Sequence, residues 1–415
     1  MKQSTSRIVT THVGSLARPP ALFQAMRALD EGASSDRAGY ETMLKREVAD
    51  VVRRQVEAGI DVVSDGEYSK PGFAVYVNSR LGGYTTRQIP RASPWADSRE
   101  AREFPEFYGL ESRTFAGTIS SWSNQMICTG PVTYKGQDLL SRDLVNLKAA
   151  VAAAGAAEAF VPSISPIDVV SNQRNEYYRT DDEFLYAVAD ALRVEYKAIV
   201  DAGFVLQIDD PRLSSHYVSN PGLTVKEVRR WAASRIEAIN HALSGIPEDR
   251  VRYHTCYGIN MGPRVHDLEL RHVIDIILKI KAGAYSFEAA NQRHDHEWRL
   301  WEDVKLPKGK SLIPGCITHA SVLVEHPQLV ADRILRYASV VGRENVIAGA
   351  DCGFGTQASS SPEIHPTIVW AKFRSLVEGA KLASKELWKR TARKAKAKPA
   401  RRTAQRPRRR AGRAR

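Results

Sequence analysis

His254-Thr255-Cys256 is where residue type and spacing first combine into chemistry. On a strand, residues i and i+2 project from the same face, so this imidazole and thiol reach a single ion. Two further donors stand at the ends of apolar runs, Cys352 in Ala350-Asp351-Cys352-Gly353 and Glu288 in Ser286-Phe287-Glu288-Ala289. One imidazole, two thiolates and a carboxylate form a donor set for Zn²⁺, which takes mixed nitrogen and sulfur ligands in tetrahedral geometry. A zinc centre with an exchangeable ligand binds a substrate thiol, lowers its pKa and keeps it as a thiolate at neutral pH. Thiolate ligands make the metal a weak Lewis acid but preserve nucleophilicity on the bound sulfur. The predicted chemistry is therefore alkyl transfer to a thiol rather than activation of water.

Donors so far apart in sequence need a scaffold that gathers distant segments. Nine short apolar runs end in small or polar residues: 11–16, 61–67, 126–131, 160–165, 205–210, 251–258, 284–290, 311–317 and 346–353. Amphipathic stretches lie between several of them, at 40–58, 182–202, 224–243 and 268–281. Strand–helix alternation on this scale means parallel strands joined by crossover helices. Nine runs predict a (β/α)8 barrel of the TIM type with one auxiliary element. Ser15, Glu67, Asp209 with Asp210, His254 with Cys256, Glu288, His319 and Cys352 all stand at the C-terminal ends of runs, where barrels of this type build their sites. Residues 84–123, rich in Arg, Pro, Ser and aromatics, read as a long excursion over the barrel mouth, and Thr180 reads as a helix N-cap.

Six short motifs keep order and approximate spacing along the chain: Thr11-His12-Val13-Gly14-Ser15, Asp65-Gly66-Glu67, Thr129-Gly130-Pro131-Val132-Thr133, Gln207-Ile208-Asp209-Asp210-Pro211, His254-Thr255-Cys256-Tyr257 and Asp351-Cys352-Gly353. Together they resemble the catalytic domain of cobalamin-independent methionine synthase, over nearly the whole body of the chain. The resemblance implies zinc on His254, Cys256, Glu288 and Cys352. It implies a homocysteine pocket in which Ser15 holds the carboxylate while Glu67 and Asp209 hold the amino group. It also implies that His319 is the catalytic acid that protonates a departing folate nitrogen, and that methyl transfer to homocysteine yields methionine.

The methyl-donor half departs from the family pattern. The runs in residues 1–415 predict one barrel where the folate-using family enzyme has two, no Trp follows Gly130-Pro131-Val132-Thr133, and the upstream Ser-Arg-Cys segment that meets the pterin is missing. Tyr134 as an aromatic platform and Arg87, Arg91, Arg99 and Arg102 as partners for carboxylates are the candidates left on that side. The alternative reading is the same zinc–thiolate chemistry on another thiol or electrophile, as in the similar epoxyalkane:coenzyme M transferases. Coenzyme M carries a sulfonate and no amine, so a cation such as Arg18 would then face the pocket. A lyase on the related barrel of uroporphyrinogen decarboxylases would have no need of His254, Cys256 and Cys352 together.

Charge and cysteine content narrow the remaining classes. The net charge of +13 comes from the end of the chain, where fourteen Lys and Arg and no acidic residue lie between Lys389 and Arg415. Without that stretch the body, residues 1–388, is near −1, and it carries no nucleic-acid-binding motif. The Lys/Arg-rich tail, residues 389–415, is predicted to be a solvated, disordered extension, with non-specific contact to acidic partners or nucleic acid as the second reading. Four cysteines, Cys128, Cys256, Cys316 and Cys352, are too few and too scattered for a disulfide framework. With no leader-like apolar start and no membrane-length apolar run, the expected location is cytoplasmic.

Overall fold

The computed structural model describes residues 1–89, 95–109, 124–258, 262–362 and 364–396. Its strands are β1 (Val9–Thr10), β2 (Val62–Val63), β3 (Leu81–Gln88), β4 (Asn124–Tyr134), β5 (Glu158–Ile164), β6 (Arg174–Asn175), β7 (Val205–Asp209), β8 (Val251–Thr255), β9 (Ala284–Phe287), β10 (Ser311–Ile317) and β11 (Ile347–Ala350). Eight of them form one parallel sheet in the order β1-β11-β10-β9-β8-β7-β5-β2. Its two ends meet: Asp61 N donates to Thr10 O at 3.1 Å and Thr11 Oγ1 to Val62 O at 3.0 Å. Helices including Arg37–Ala58, Gln137–Ala154, Asp181–Asp201, Val225–Ala242 and Pro327–Val341 connect the strands, giving the expected (β/α)8 architecture.

The auxiliary run is 126–131. It belongs to β4, which pairs antiparallel with β3 and parallel with β6 in a separate three-stranded sheet. Two other expectations shift. The run at 11–16 is the loop after β1, because pairing with β11 stops at Thr10. The stretch 268–281 forms a 3₁₀ turn, Leu270–His272, and a short α-helix, Ile274–Ile277, instead of a full crossover helix. Val273 leaves helical geometry at φ −133°, and the surrounding Val and Ile side chains are buried too widely for one amphipathic face. Thr180 caps its helix as expected, accepting from Glu183 N at 3.1 Å.

The barrel interior is layered, as alternating side chains require. At its floor Val9, Val62, Phe160, Val205, Ala284, Ile313 and Ile347 form an apolar cluster with contributions from seven strands. Above it lies Arg252, its guanidinium 3.4 Å from the Phe160 ring centroid and bonded to Gln207, Thr11 and the His12 carbonyl. The register Gln207↔Arg252 and Asp209↔His254 then lifts Asp209 and His254 side by side to the mouth.

Of the predicted excursion, residues 84–88 belong to β3, and the described residues 95–109 pack at this mouth. Trp95 lies against Gly258, where an added Cβ would meet its ring at 3.1 Å. Glu100 accepts from Arg264 N and His266 N at 3.1 and 2.7 Å. Residues 90–94 and 110–123 of the excursion, Arg91 among them, lie outside the described residues. The C-terminal helix, Pro366–Lys396, docks on the chain start through Trp388 Nε1 and Thr5 O at 3.2 Å. It carries the first part of the basic stretch, and residues 397–415, the rest of the predicted disordered tail, lie outside the described residues. Among the described residues no helix is long and apolar enough to cross a membrane.

Candidate active site

The loop after β1 and the turn after β2 form one rim of the mouth. Leu16 N donates to Gly66 O at 3.0 Å and Phe354 N to Ser15 O at 2.9 Å, so residues 15–16, 66–67 and 353–354 are tied together. Gly353 has no room for a side chain, because a Cβ there would overlap Ser15 Oγ. Glu67 is held in the left-handed region at φ 57°, a conformation that costs a non-glycine residue about 1–2 kcal/mol. Arg18 anchors the turn from behind. It donates to the carbonyls of Leu16, Glu67, Lys70 and Gly355 and is buried, so it does not face the pocket as a free cation.

Val13, Ser15, Glu67, Asp209, His254, Cys256 and Cys352 line one cleft with about 410 Å³ of empty space. The substrate residues and the metal donors predicted from sequence thus face each other, with one exception discussed below. Asp209 takes a bond from Gln207 Nε2 at 2.7 Å. Burial and then the Glu67 carboxylate push the Asp209 pKa well above the usual range. Glu67 Oε1 takes Lys70 Nζ at 3.3 Å, and its Oε2 is buried without a hydrogen-bond partner. Two crowded carboxylates with an unsatisfied oxygen form an acceptor for a cationic group.

The ligand atoms of His254, Cys256 and Cys352 lie within 4.8 Å of one another, all buried. The two Sγ atoms are 3.3 Å apart. Their shared hydrogen bond and then burial raise the Cys256 pKa well above that of an ordinary thiol. His254 Nδ1 meets Ser286 Oγ at 3.2 Å, while Nε2 is buried with no hydrogen-bond partner. Burial, then Arg252 and His319, lower its pKa to about 3, so it is a neutral imidazole. A neutral imidazole with an open nitrogen beside two adjacent sulfurs fits a zinc ion, whose charge would stabilise the thiolates.

Glu288 is the exception. Its carboxylate accepts from Tyr257 N at 2.9 Å, Arg264 Nη1 at 2.8 Å and Asn291 Nδ2 at 2.7 Å. It clusters with His319 and Asp351 rather than with the three donors, although it is close enough for its charge to raise the Cys256 pKa. His319 is buried with neither ring nitrogen hydrogen-bonded, and burial and then Arg264 lower its pKa to about 4. Asp351 accepts from Ala289 N, Ala290 N and Asn291 N at 2.7, 2.7 and 2.9 Å, pinning the turn that carries Glu288. The positioning roles of Asp351, Arg264, Ser286 and Lys70 were not read from the sequence. Asp351 stands beside Cys352 and Ser286 two residues before Glu288, whereas Arg264 and Lys70 offered no local signal.

On the donor side Tyr134 donates its hydroxyl to Glu195 Oε2 at 2.7 Å. Arg87 pairs with Glu176 at 2.9 Å, and Arg99 donates to the carbonyls of Tyr217 and Leu223 at 3.0 and 2.5 Å. Arg102 is exposed on the short helix Arg99–Glu103.

The family model described as "Cobalamin-independent synthase, Catalytic domain" matches residues 8–160 and 165–368. A Chelativorans protein named 5-methyltetrahydropteroyltriglutamate–homocysteine methyltransferase is 26% identical over 367 residues, which are 84% of this chain and 40% of that protein. The chain thus spans well under half the length of this relative. A Saccharolobus solfataricus protein named methionine synthase is 25% identical over 393 residues, with 91% of this chain and 95% of that protein covered. The solved structure of a B12-independent methionine synthase from Shewanella sp. W3-18-1 superposes with a TM-score of 0.70 at 19% identity, covering 92% of this chain and 99% of that one, and supports the barrel fold. With six motifs in order, a matching barrel and a family model spanning most of its length, the chain belongs to the catalytic-domain family of the cobalamin-independent synthases.

Proposed function

We propose that the chain is a zinc-dependent methyltransferase that moves a methyl group to the thiol of homocysteine, forming methionine. The observation that carries this reading is one cleft in which a buried imidazole–dithiol set faces a pair of carboxylates. A bound Zn²⁺ would supply the charge that keeps both the cysteine sulfurs and a substrate thiol deprotonated. His254, Cys256 and Cys352 would hold it, and Glu288 would serve as the fourth donor by giving up one of its bonds to Tyr257, Arg264 or Asn291. Glu67 and Asp209 take the substrate ammonium through charge-assisted hydrogen bonds, and Ser15 Oγ donates to its carboxylate. Ser286 fixes the His254 ring and Asp351 fixes the Glu288 turn, so the reacting sulfur is aimed without reorganisation.

A sulfonate thiol such as coenzyme M is less well matched. Arg18 is committed to four backbone carbonyls, and no Lys or Arg is among the described residues lining the cleft. We take residues 1–388 as the catalytic unit and the basic stretch 389–415 as an appendage to it.

The methyl donor decides the part of His319. A departing folate nitrogen needs a proton at the leaving atom, while a corrinoid leaving group does not. With the donor-side groups already bonded internally, turnover is expected to be slow with free methyltetrahydrofolate and faster with a methylated corrinoid. The test is methionine formation from homocysteine with each donor, by wild type and His319→Asn. Absence of methionine with every donor would refute the reading, and efficient folate use abolished in His319→Asn would refute its donor half.

A further inference from the structure

We infer that Lys70 is a specificity-determining residue that reserves one oxygen of Glu67 for the amino group of the thiol substrate. The inference rests on the homocysteine reading above and concerns how the pocket tells an amino thiol from one that lacks the amine.

Lys70 is buried at 5% exposure, unusual for a residue that normally keeps its ammonium in water. Three neighbours surround that ammonium. Nζ donates to Pro162 O at 2.7 Å and to Glu67 Oε1 at 3.3 Å, and it sits 4.3 Å from the centroid of the Tyr76 ring. Tyr76 is fixed in turn, its hydroxyl bonded to Ser163 Oγ at 3.0 Å and Glu195 Oε1 at 2.8 Å. The backbone repeats the link: Lys70 N donates to Glu67 O at 2.9 Å, and Arg18 Nη2 grips both Glu67 O and Lys70 O, at 2.8 and 2.7 Å. This frame holds Glu67 in its left-handed backbone conformation.

A free carboxylate can rotate and offer either oxygen. With Oε1 taken by Lys70, Glu67 presents Oε2 alone, and that atom is buried, unpartnered and on a residue lining the cleft beside Asp209. Of the other nearby cations, Arg18 is bonded to the carbonyls of Leu16, Glu67, Lys70 and Gly355, and Arg252 has its donors directed at Gln207, Thr11 and His12 one layer below. Filling Oε2 therefore falls to the substrate. An ammonium satisfies it. A thiol with hydrogen in place of the amine would dehydrate that oxygen and leave it unpaired, the arrangement by which polar sites reject analogues most strongly. Lys70 thus acts through Glu67, as a positioning residue.

The experiment compares homocysteine with its des-amino analogue, 4-sulfanylbutanoate, as methyl acceptors in wild type and Lys70→Met, with zinc content measured on the same samples. Wild type should favour homocysteine in kcat/KM by at least about a hundredfold. In Lys70→Met that preference should fall at least about tenfold, carried by a higher KM for homocysteine, with kcat within about threefold and zinc unchanged. Lys70→Arg, which keeps the charge, should recover part of the preference. Should Lys70→Met fail to fold, Lys70→Gln, which keeps an N–H donor and removes the charge, gives the same comparison. A preference within about twofold of wild type in the uncharged variants, or equal losses for both thiols, overturns the role of Lys70 and leaves the homocysteine reading standing. A wild type that does not favour homocysteine at all overturns that reading, and this inference with it.

Discussion

Glu67 and Glu195 are both buried carboxylates facing a cation, and they are built to opposite ends. Glu195 has every oxygen occupied: Tyr76 and Ser163 donate to Oε1 at 2.8 and 2.7 Å, Arg80 and Tyr134 to Oε2 at 3.0 and 2.7 Å. Burial alone would raise its pKa, but Arg80 and Lys70 outweigh burial and bring it to about 2. Glu67 has one oxygen on Lys70 and the other with no partner, on a backbone held at φ 57°. A fully satisfied buried network rigidifies a fold, whereas an unsatisfied group on a strained backbone marks a place where something else binds. The same contrast divides the mouth. On the thiol side His254 Nε2 and Glu67 Oε2 are open, while on the donor side Tyr134, Arg87 and Arg99 are already bonded.

The largest effect that would test this contrast is loss of Arg80. It is 4% exposed and pairs with Glu195 and with Asp143 at 2.7 Å, so Arg80→Met leaves Glu195 with hydroxyl donors in place of its guanidinium partner and Asp143 with Arg142 and Ser69. Breaking such a pair costs about 3–5 kcal/mol, which denaturant unfolding would register. In the folded variant, zinc content and the KM for homocysteine should change by less than about threefold. A large KM change with little loss of stability would show that the Glu195 cluster belongs to the site rather than to its frame.

The reverse pattern is expected for Glu67→Gln and Asp209→Asn. Each should raise the KM for homocysteine at least about tenfold, equivalent to roughly 1.4 kcal/mol, with zinc retained. Their stability should change less than that of Arg80→Met, because one carboxylate oxygen is unpartnered and the other carboxyl is pushed toward its neutral form by burial and then by its neighbour. Normal homocysteine kinetics in both variants would remove the amino-acid pocket and return the coenzyme M-like reading to consideration.

The barrel was legible because its strands alternate with long amphipathic helices. The site was legible because barrel strands carry their functional groups at one end. His254 and Cys256 could be paired from local spacing, and Asp209 and Cys352 from their places after apolar runs. What escaped depends on partners distant in sequence. Asp351 holds Ala289 N across 62 positions, Lys70 reaches Pro162 O across 92, and Arg264 meets Glu288 across 24. No periodicity encodes such contacts. Strand ends were also misplaced where strands are short: β1 and β2 are two residues each, too brief for an alternation pattern to bound. The Glu288 carboxylate shows the limit most directly, since its type and position suit a ligand while its hydrogen bonds tie it to Arg264, Asn291 and Tyr257.

The central claim is that His254, Cys256 and Cys352 exist to hold a metal that activates a thiol. Elemental analysis of the purified chain, beside a Cys256→Ser, Cys352→Ser double variant, measures this directly. The account predicts about one zinc per wild-type chain and almost none in the double variant, because thiolates dominate affinity in a mixed site. Full zinc content in the double variant, or methyl transfer to homocysteine by metal-free wild type at an undiminished rate, would contradict it.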